Sequence, residues 1–191
     1  MKIGLFFGSF NPIHVGHLVI ANYMLEYTDM ERIWFVVSPQ NPLKEKKSLL
    51  DEKQRFHLVT LAIGETNKYK ASSIEFKLPQ PSYTINTLAH LKEKFPQHNF
   101  ALIMGADNLQ SFKKWKNHEE ILKQYEIFVY PRMNSNGGNL LKHPNVKFVN
   151  APVIEISSTQ IRNAIKEKKE LRYFMPDEVW QEIKAMHFYE K

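Results

Sequence analysis

Short apolar runs alternate with longer segments of helical period along most of this chain, and few architectures accept that alternation. Residues 3–7, 33–37, 71–76, 100–104, 127–130 and 146–149 read as strands, and residues 15–27, 52–63 and 83–95 as helices between them. Each helix carries apolar side chains three and four apart on one face: Leu18, Ala21 and Leu25; Phe56, Val59 and Ile63; Ile85, Leu88 and Leu91. Strand, helix, strand in this order demands crossover connections, hence parallel strands joined right-handedly. The strands are apolar nearly throughout, as in a sheet covered on both faces. The expected class is α/β, with a doubly wound, mostly parallel sheet.

From about Ser157 the pattern turns helical. Ile161 and Ile165 mark one helix; Val179, Ile183 and Met186 mark another, introduced by Pro176-Asp177. The expectation is one domain over residues 1–191, with a core at 1–155 and a small helical appendage at 156–191. Residues 134–139, polar and rich in Gly, read as a surface loop.

Lys plus Arg number 26 against 20 Asp plus Glu, a net charge of +6 with histidine neutral. That excess suits an anionic partner: nucleic acid, a phosphorylated metabolite or an acidic membrane. The chain has no cysteine, which excludes disulfides, thiolate metal sites and cysteine nucleophiles. No run approaches the roughly 18 apolar residues of a membrane span. The first residues lack the length of a secretory h-region. A soluble, cytoplasmic protein is expected; oligomeric state stays open, a homo-oligomer included.

The strongest chemical signal is Gly8-Ser9-Phe10-Asn11-Pro12-Ile13-His14-Val15-Gly16-His17, between the first strand and the first helix. Ligands of open parallel sheets bind outside the carboxyl ends of the strands, where this turn falls. Gly8 permits close backbone approach, and Ser9 and Phe10 offer backbone N–H groups. His14 and His17, three apart, turn their rings the same way, and Gly16 leaves room between them. Free N–H groups and two imidazoles at a helix N-terminus make a phosphate site. Two plainer alternatives are half of a metal site and simple capping. No third metal ligand is evident, and a helix N-terminus repels cations. The metal assignment is therefore none.

Gly-Ser-Phe-x-Pro-x-His-x-Gly-His resembles the signature of the nucleotidylyltransferase superfamily, whose shared element falls on His14 to His17. That resemblance implies a Rossmann-like fold. Many members carry Asp where this chain has Asn11, which is assigned a structural role. Four further segments follow in order: Ser38 to Lys44, Ser82 to Leu88, Met104 to Leu109 with Trp115 beyond, and Ile156 to Arg162. Together they resemble the bacterial type of nicotinate-mononucleotide adenylyltransferase over nearly the whole chain.

The residues support separate readings. Ser157 or Ser158 is an N-cap, and Arg162 one turn later can hold a phosphate in bidentate fashion. Tyr83 and Thr84 start a helix whose N–H groups suit a carboxylate. Trp115 offers a flat face to a pyridine ring or a buried anchor to the fold. Asp107, past a strand end at Gly105, can accept from a ribose hydroxyl or cap a helix. Lys44, beside Lys46 and Lys47, is the candidate for a substrate phosphate. The role of Arg132 is open, because Tyr130-Pro131-Arg132-Met133 departs from the family's Arg-Pro-Gly.

The resemblance implies adenylyl transfer from ATP to nicotinate mononucleotide, with pyrophosphate as the other product. It assigns His14, His17 and Arg162 to catalysis. ATP would meet Gly8, Ser9, Phe10, His14, His17, Gly105, Asp107, Ser157, Ser158 and Arg162. Nicotinate mononucleotide would meet Ser9, Phe10, Lys44, Tyr83, Thr84 and Trp115. Mg²⁺ would arrive with ATP rather than in a protein-held site. The competing readings are another small nucleotidylyltransferase, acting on phosphopantetheine or glycerol phosphate, and a basic nucleic-acid-binding module. The second is weakened by Glu45, Glu167 and Glu170, which interrupt the lysine clusters.

Overall fold

The computed structural model describes residues 1–39 and 49–190. Its six strands are β1 (Lys2–Gly8), β2 (Arg32–Val37), β3 (Tyr69–Ser72), β4 (Asn99–Gly105), β5 (Ile127–Tyr130) and β6 (Val146–Phe148). They form one sheet in the order β3-β2-β1-β4-β5-β6, and every pairing is parallel. The helices are α1 (Val15–Tyr27), α2 (Glu52–Ile63), α3 (Thr84–Lys94), α4 (Ala106–Gln110), α5 (His118–Gln124), α6 (Ser158–Lys166) and α7 (Asp177–Ala185). Strand order reverses between β1 and β4, so the ligand crevice of such a sheet opens beyond Gly8 and Gly105.

Each strand feeds two cores, because successive side chains point to opposite faces. Phe6 joins Ile20, Met24, Leu58, Ile161, Val179 and Trp180 on one face. Ile3 and Leu5 join Leu88, Leu91, Leu109 and Ile121 on the other. The late helices α6 and α7 therefore pack into the same core as α1 and α2.

Four expectations need correction. The third strand was expected at 71–76; it runs over Tyr69–Ser72 and gives way to a 3₁₀ turn at Ile74–Lys77. β3 is an edge strand paired only to β2, and its register ends at Val36 with Ser72. Beyond that point β2 extends by a single residue, Val37, and Glu75 is buried in the turn instead. Met186, expected on the buried face of the last helix, follows α7 and is exposed; Trp180 takes its place beside Val179 and Ile183. On α2 the fully buried residues are Arg55, Leu58 and Val59, with Phe56 and Ile63 half-buried. The loop expected at 134–139 is largely exposed, but Gly138 and Asn139 already belong to a 3₁₀ turn, Gly138–Lys142.

Arg55 is the unexpected member of that buried stripe, with no accessible surface. Its guanidinium donates to the carbonyls of Ser9 (2.6 Å), Ser38 (2.8 Å), Pro39 (3.0 Å) and Leu50 (2.7 Å). One side chain thus ties the turn after β1, the end of β2 and the approach to α2. Burial pulls its pKa down, opposed by Tyr189, Glu52 and Asp51. Arg55→Met would leave four carbonyls without their donor. The expected loss is about 3 kcal/mol or more of unfolding free energy, read from urea denaturation.

Candidate active site

The turn after β1 is built around an inverted aromatic residue. Phe10 has φ +44° and is buried, with its ring edge-on to Phe6, Phe35 and His17. A Cβ on Gly8 would lie 2.8 Å from that ring. Gly8 was expected to make room for a ligand; its space is filled by Phe10. The glycine is needed so that Phe10 can fold back under the turn and carry it.

Asn11 is the point where distant segments meet. Its Oδ1 accepts from the Leu50 N–H at 3.2 Å and from the Tyr189 hydroxyl at 2.9 Å. Its carbonyl accepts from Arg162 at 2.8 Å, and the next carbonyl, of Pro12, accepts from Ser158 at 2.8 Å. The structural role expected of Asn11 is what these bonds describe. Ser157 caps α6, accepting from the Gln160 N–H at 3.2 Å, while Ser158 braces the turn. Arg162 also donates to Thr159 at 3.3 Å. With five N–H donors it keeps capacity beyond these two bonds.

His14 is the N-cap of α1 and His17 lies in its first turn. Their rings face each other with centroids 3.8 Å and planes 30° apart. The His14 backbone N–H donates to His17 Nδ1 at 3.3 Å. An accepting Nδ1 puts the proton of the neutral ring on Nε2, making that nitrogen a donor. A Cβ on Gly16 would lie 2.9 Å from Ile154 and 3.0 Å from the His14 ring, so only glycine lets the ring sit there. Burial, with the nearby positive charge of Arg132, lowers the His14 pKa to about 4. Its Nδ1 is buried and makes no hydrogen bond.

Arg132 stands in the same recess, which His14, Gly16, His17, Phe6, Ile20 and Ile154 line with it. Its Nε is 3.8 Å from Asp107, and a Cβ on Gly105 would lie 2.8 Å from its Cγ. Two glycines, Gly16 and Gly105, thus make room for this arrangement of His14, His17 and Arg132.

The expected substrate end lies along α3. Tyr83 is the N-cap of that helix, its side chain makes no capping bond, and Thr84 is the first helical residue. Trp115 is half-buried against Phe112, at 5.0 Å between centroids, in keeping with an anchor. The neighbouring Lys116 lies over the Tyr83 ring at 4.5 Å, so these two segments do converge. Lys44 falls outside the described residues.

Sequence reasoning missed Arg55, Glu75 and Tyr189 and left Arg132 unplaced. The available signal for Arg55 was its register: it lies three and four residues before Leu58 and Val59, on the buried stripe of α2.

An all-parallel sheet with two histidines at the first helix start, beside its switch point, is a Rossmann-like arrangement with a crevice suited to a phosphorylated ligand. The cytidylyltransferase-like family model matches residues 5–164. A protein of Flavobacterium johnsoniae named "Probable nicotinate-nucleotide adenylyltransferase" is 55% identical over 193 residues, covering 100% of both chains. One of the same name from Cytophaga hutchinsonii is 55% identical, covering 99% of this chain and 98% of its own. The chain belongs to the nicotinate-nucleotide adenylyltransferase family. Among solved structures, the Plasmodium falciparum nicotinic acid mononucleotide adenylyltransferase complexed with NaAD superposes with a TM-score of 0.84. It is 19% identical, covering 99% of this chain and 97% of that one, and supports the fold.

Burial keeps His14 neutral in the free protein, and a bound anion would favour its protonated form. An anion beside it raises its pKa above the value of about 4 in the free protein. Between the free and bound pKa values, only the bound form holds the proton. Calorimetry of inorganic pyrophosphate binding at about pH 6, in buffers of different ionisation enthalpy, should therefore register proton uptake. His14→Asn should diminish it.

Proposed function

We propose that this chain transfers the adenylyl group of ATP to nicotinate mononucleotide, giving nicotinate adenine dinucleotide and pyrophosphate in NAD biosynthesis. The observation that carries the mechanism is the stacked His14–His17 pair sharing a recess with Arg132 at the sheet's switch point. Two imidazoles and a guanidinium gathered there offer N–H donors suited to a polyphosphate. Among the described residues, no group of three or more His, Cys, Asp or Glu gathers to hold an ion. In this reading Mg²⁺ would arrive with ATP and supply charge neutralisation at the phosphates.

The attacking group is a phosphate monoester oxygen of the mononucleotide. Its second pKa is about 6, so it is ionised at neutral pH and needs no general base. No covalent enzyme intermediate is required; the mononucleotide oxygen bonds to the α-phosphorus in line as the bond to pyrophosphate breaks. The enzyme's contribution is alignment and charge stabilisation. His17, donating through Nε2, meets the α-phosphate, with His14 beside it. Arg162 and the start of α6 meet the departing phosphates, and Arg132 adds a second guanidinium. Asp107 stands at the ribose, held by Arg132. The N–H groups at Thr84 take the nicotinate carboxylate, with Tyr83 and Trp115 around the ring.

ATP and nicotinate mononucleotide are the partners of this reading, and the cytoplasm its setting. No helix among the described residues is long and apolar enough to cross a membrane.

His17→Ala should lower kcat by about 100-fold or more while the thermal midpoint moves little. Turnover near that of the unmodified protein, in a pyrophosphate-release assay, would end the role given to His17. In the same assay kcat/KM should favour nicotinate over nicotinamide mononucleotide, because the amide lacks the anion that the start of α3 would receive.

A further inference from the structure

Glu75 is a carboxylate with 2% of its surface exposed, in the 3₁₀ turn that follows β3. Burying a carboxylate is costly unless it is well satisfied, and among the described residues its partners are hydroxyls. Oε1 accepts from Thr87 at 2.7 Å and Oε2 from Ser82 at 3.0 Å. Ser38, at the end of β2, donates as well. Burial pushes the carboxyl above its usual range, while the hydroxyls of Thr87, Ser38 and Ser82 hold it down.

The placement of those hydroxyls is informative. With Tyr83 as N-cap, Ser82 precedes the cap and Thr87 is the fourth helical residue of α3. These are the two positions that a hydrophobic staple joins; here one carboxylate joins them. α2 and α6 are fixed differently, by Asp51 and Ser157, whose side chains each engage a helix N–H. Among the described residues, Glu75 holds α3 through side chains and its carboxylate takes no backbone N–H. The N–H groups of Asn86 and Thr87 go to the Tyr83 carbonyl. Those of Thr84 and Ile85 lie ahead of the helix's own hydrogen bonds.

We propose that Glu75 is a positioning residue for substrate selectivity: it fixes the start of α3 from its flanks, leaving the first N–H groups of the helix to the carboxylate of the substrate. This rests on the reading of α3 as the acid-binding end. Through Ser38, whose carbonyl Arg55 also holds, the same carboxylate sets that end relative to the phosphate-binding turn.

The test is steady-state kinetics of Glu75→Gln, which keeps the shape but replaces one acceptor oxygen with a donor. KM for nicotinate mononucleotide should rise about tenfold, more than kcat falls, with KM for ATP within about twofold. The preference for nicotinate over nicotinamide mononucleotide should shrink in proportion. Ser82→Ala and Thr87→Val, each removing one hydroxyl and no N–H, should show smaller shifts in the same direction, and they serve if Glu75→Gln folds poorly. A general fall in thermal midpoint with the acid-to-amide ratio unchanged in all three variants would overturn the role of Glu75. A parent enzyme that uses both mononucleotides equally would instead overturn the reading of α3, and this inference with it.

Discussion

The guanidinium of Arg55 is the interaction on which the working end of the sheet depends. Charge normally enters a protein interior beside an opposite charge; here the partners are four backbone carbonyls from three segments. Carbonyl groups in loops are the polar atoms most often left wanting when loops are packed inward. A planar donor with five N–H groups satisfies several at once and fixes their relative angles. The turn after β1 can therefore be buried against the core, with Phe10 inverted beneath it, and still keep its backbone groups paired. That rigidity is a requirement of positional catalysis, in which misplacement of about 1 Å is costly.

The electrostatics of the recess follow the same economy. His14 is buried beside Arg132 and stacked on His17, so protonation in the absence of an anion is disfavoured. The formal sum of +6 places no charge on histidine, and for the free protein that is right at His14. The positive charge of the site is then mainly arginine, fixed in place, with imidazoles that respond to what arrives. With His14 uncharged in the free protein, the recess avoids setting a second cation against Arg132.

Much of this was legible in the sequence. Period and apolar continuity were enough for the parallel sheet and its two cores, because burial on both faces leaves a plain imprint on composition. The Gly8-to-His17 turn was legible because the backbone geometry there admits few residues, Gly16 most clearly. What escaped was Arg55 and Glu75, both polar and buried, and the placement of the exposed Arg132. A charged residue looks the same in sequence whether it meets water, hydroxyls or carbonyls, and the partners of these three lie on other elements or turns, at spacings that follow no helix or strand period. The strand misplaced at 71–76 has the same origin. Ile74 and Phe76 supply a strand-like alternation, and only the inward turn of Glu75 between them breaks it.

Asn11 carries a further consequence. The turn that holds the histidines is braced by residues 146 to 178 positions away: Ser158 on Pro12, Arg162 on Asn11 and Tyr189 on Asn11. Contacts of such separation close the largest loops in the chain, and their entropic cost is met late in folding. A partly synthesised chain can thus own the sheet, both imidazoles and the braces from Leu50 and Arg55, and still lack those from Ser158, Arg162 and Tyr189. The finished turn depends on the last segments of the chain as much as on the strand that precedes it.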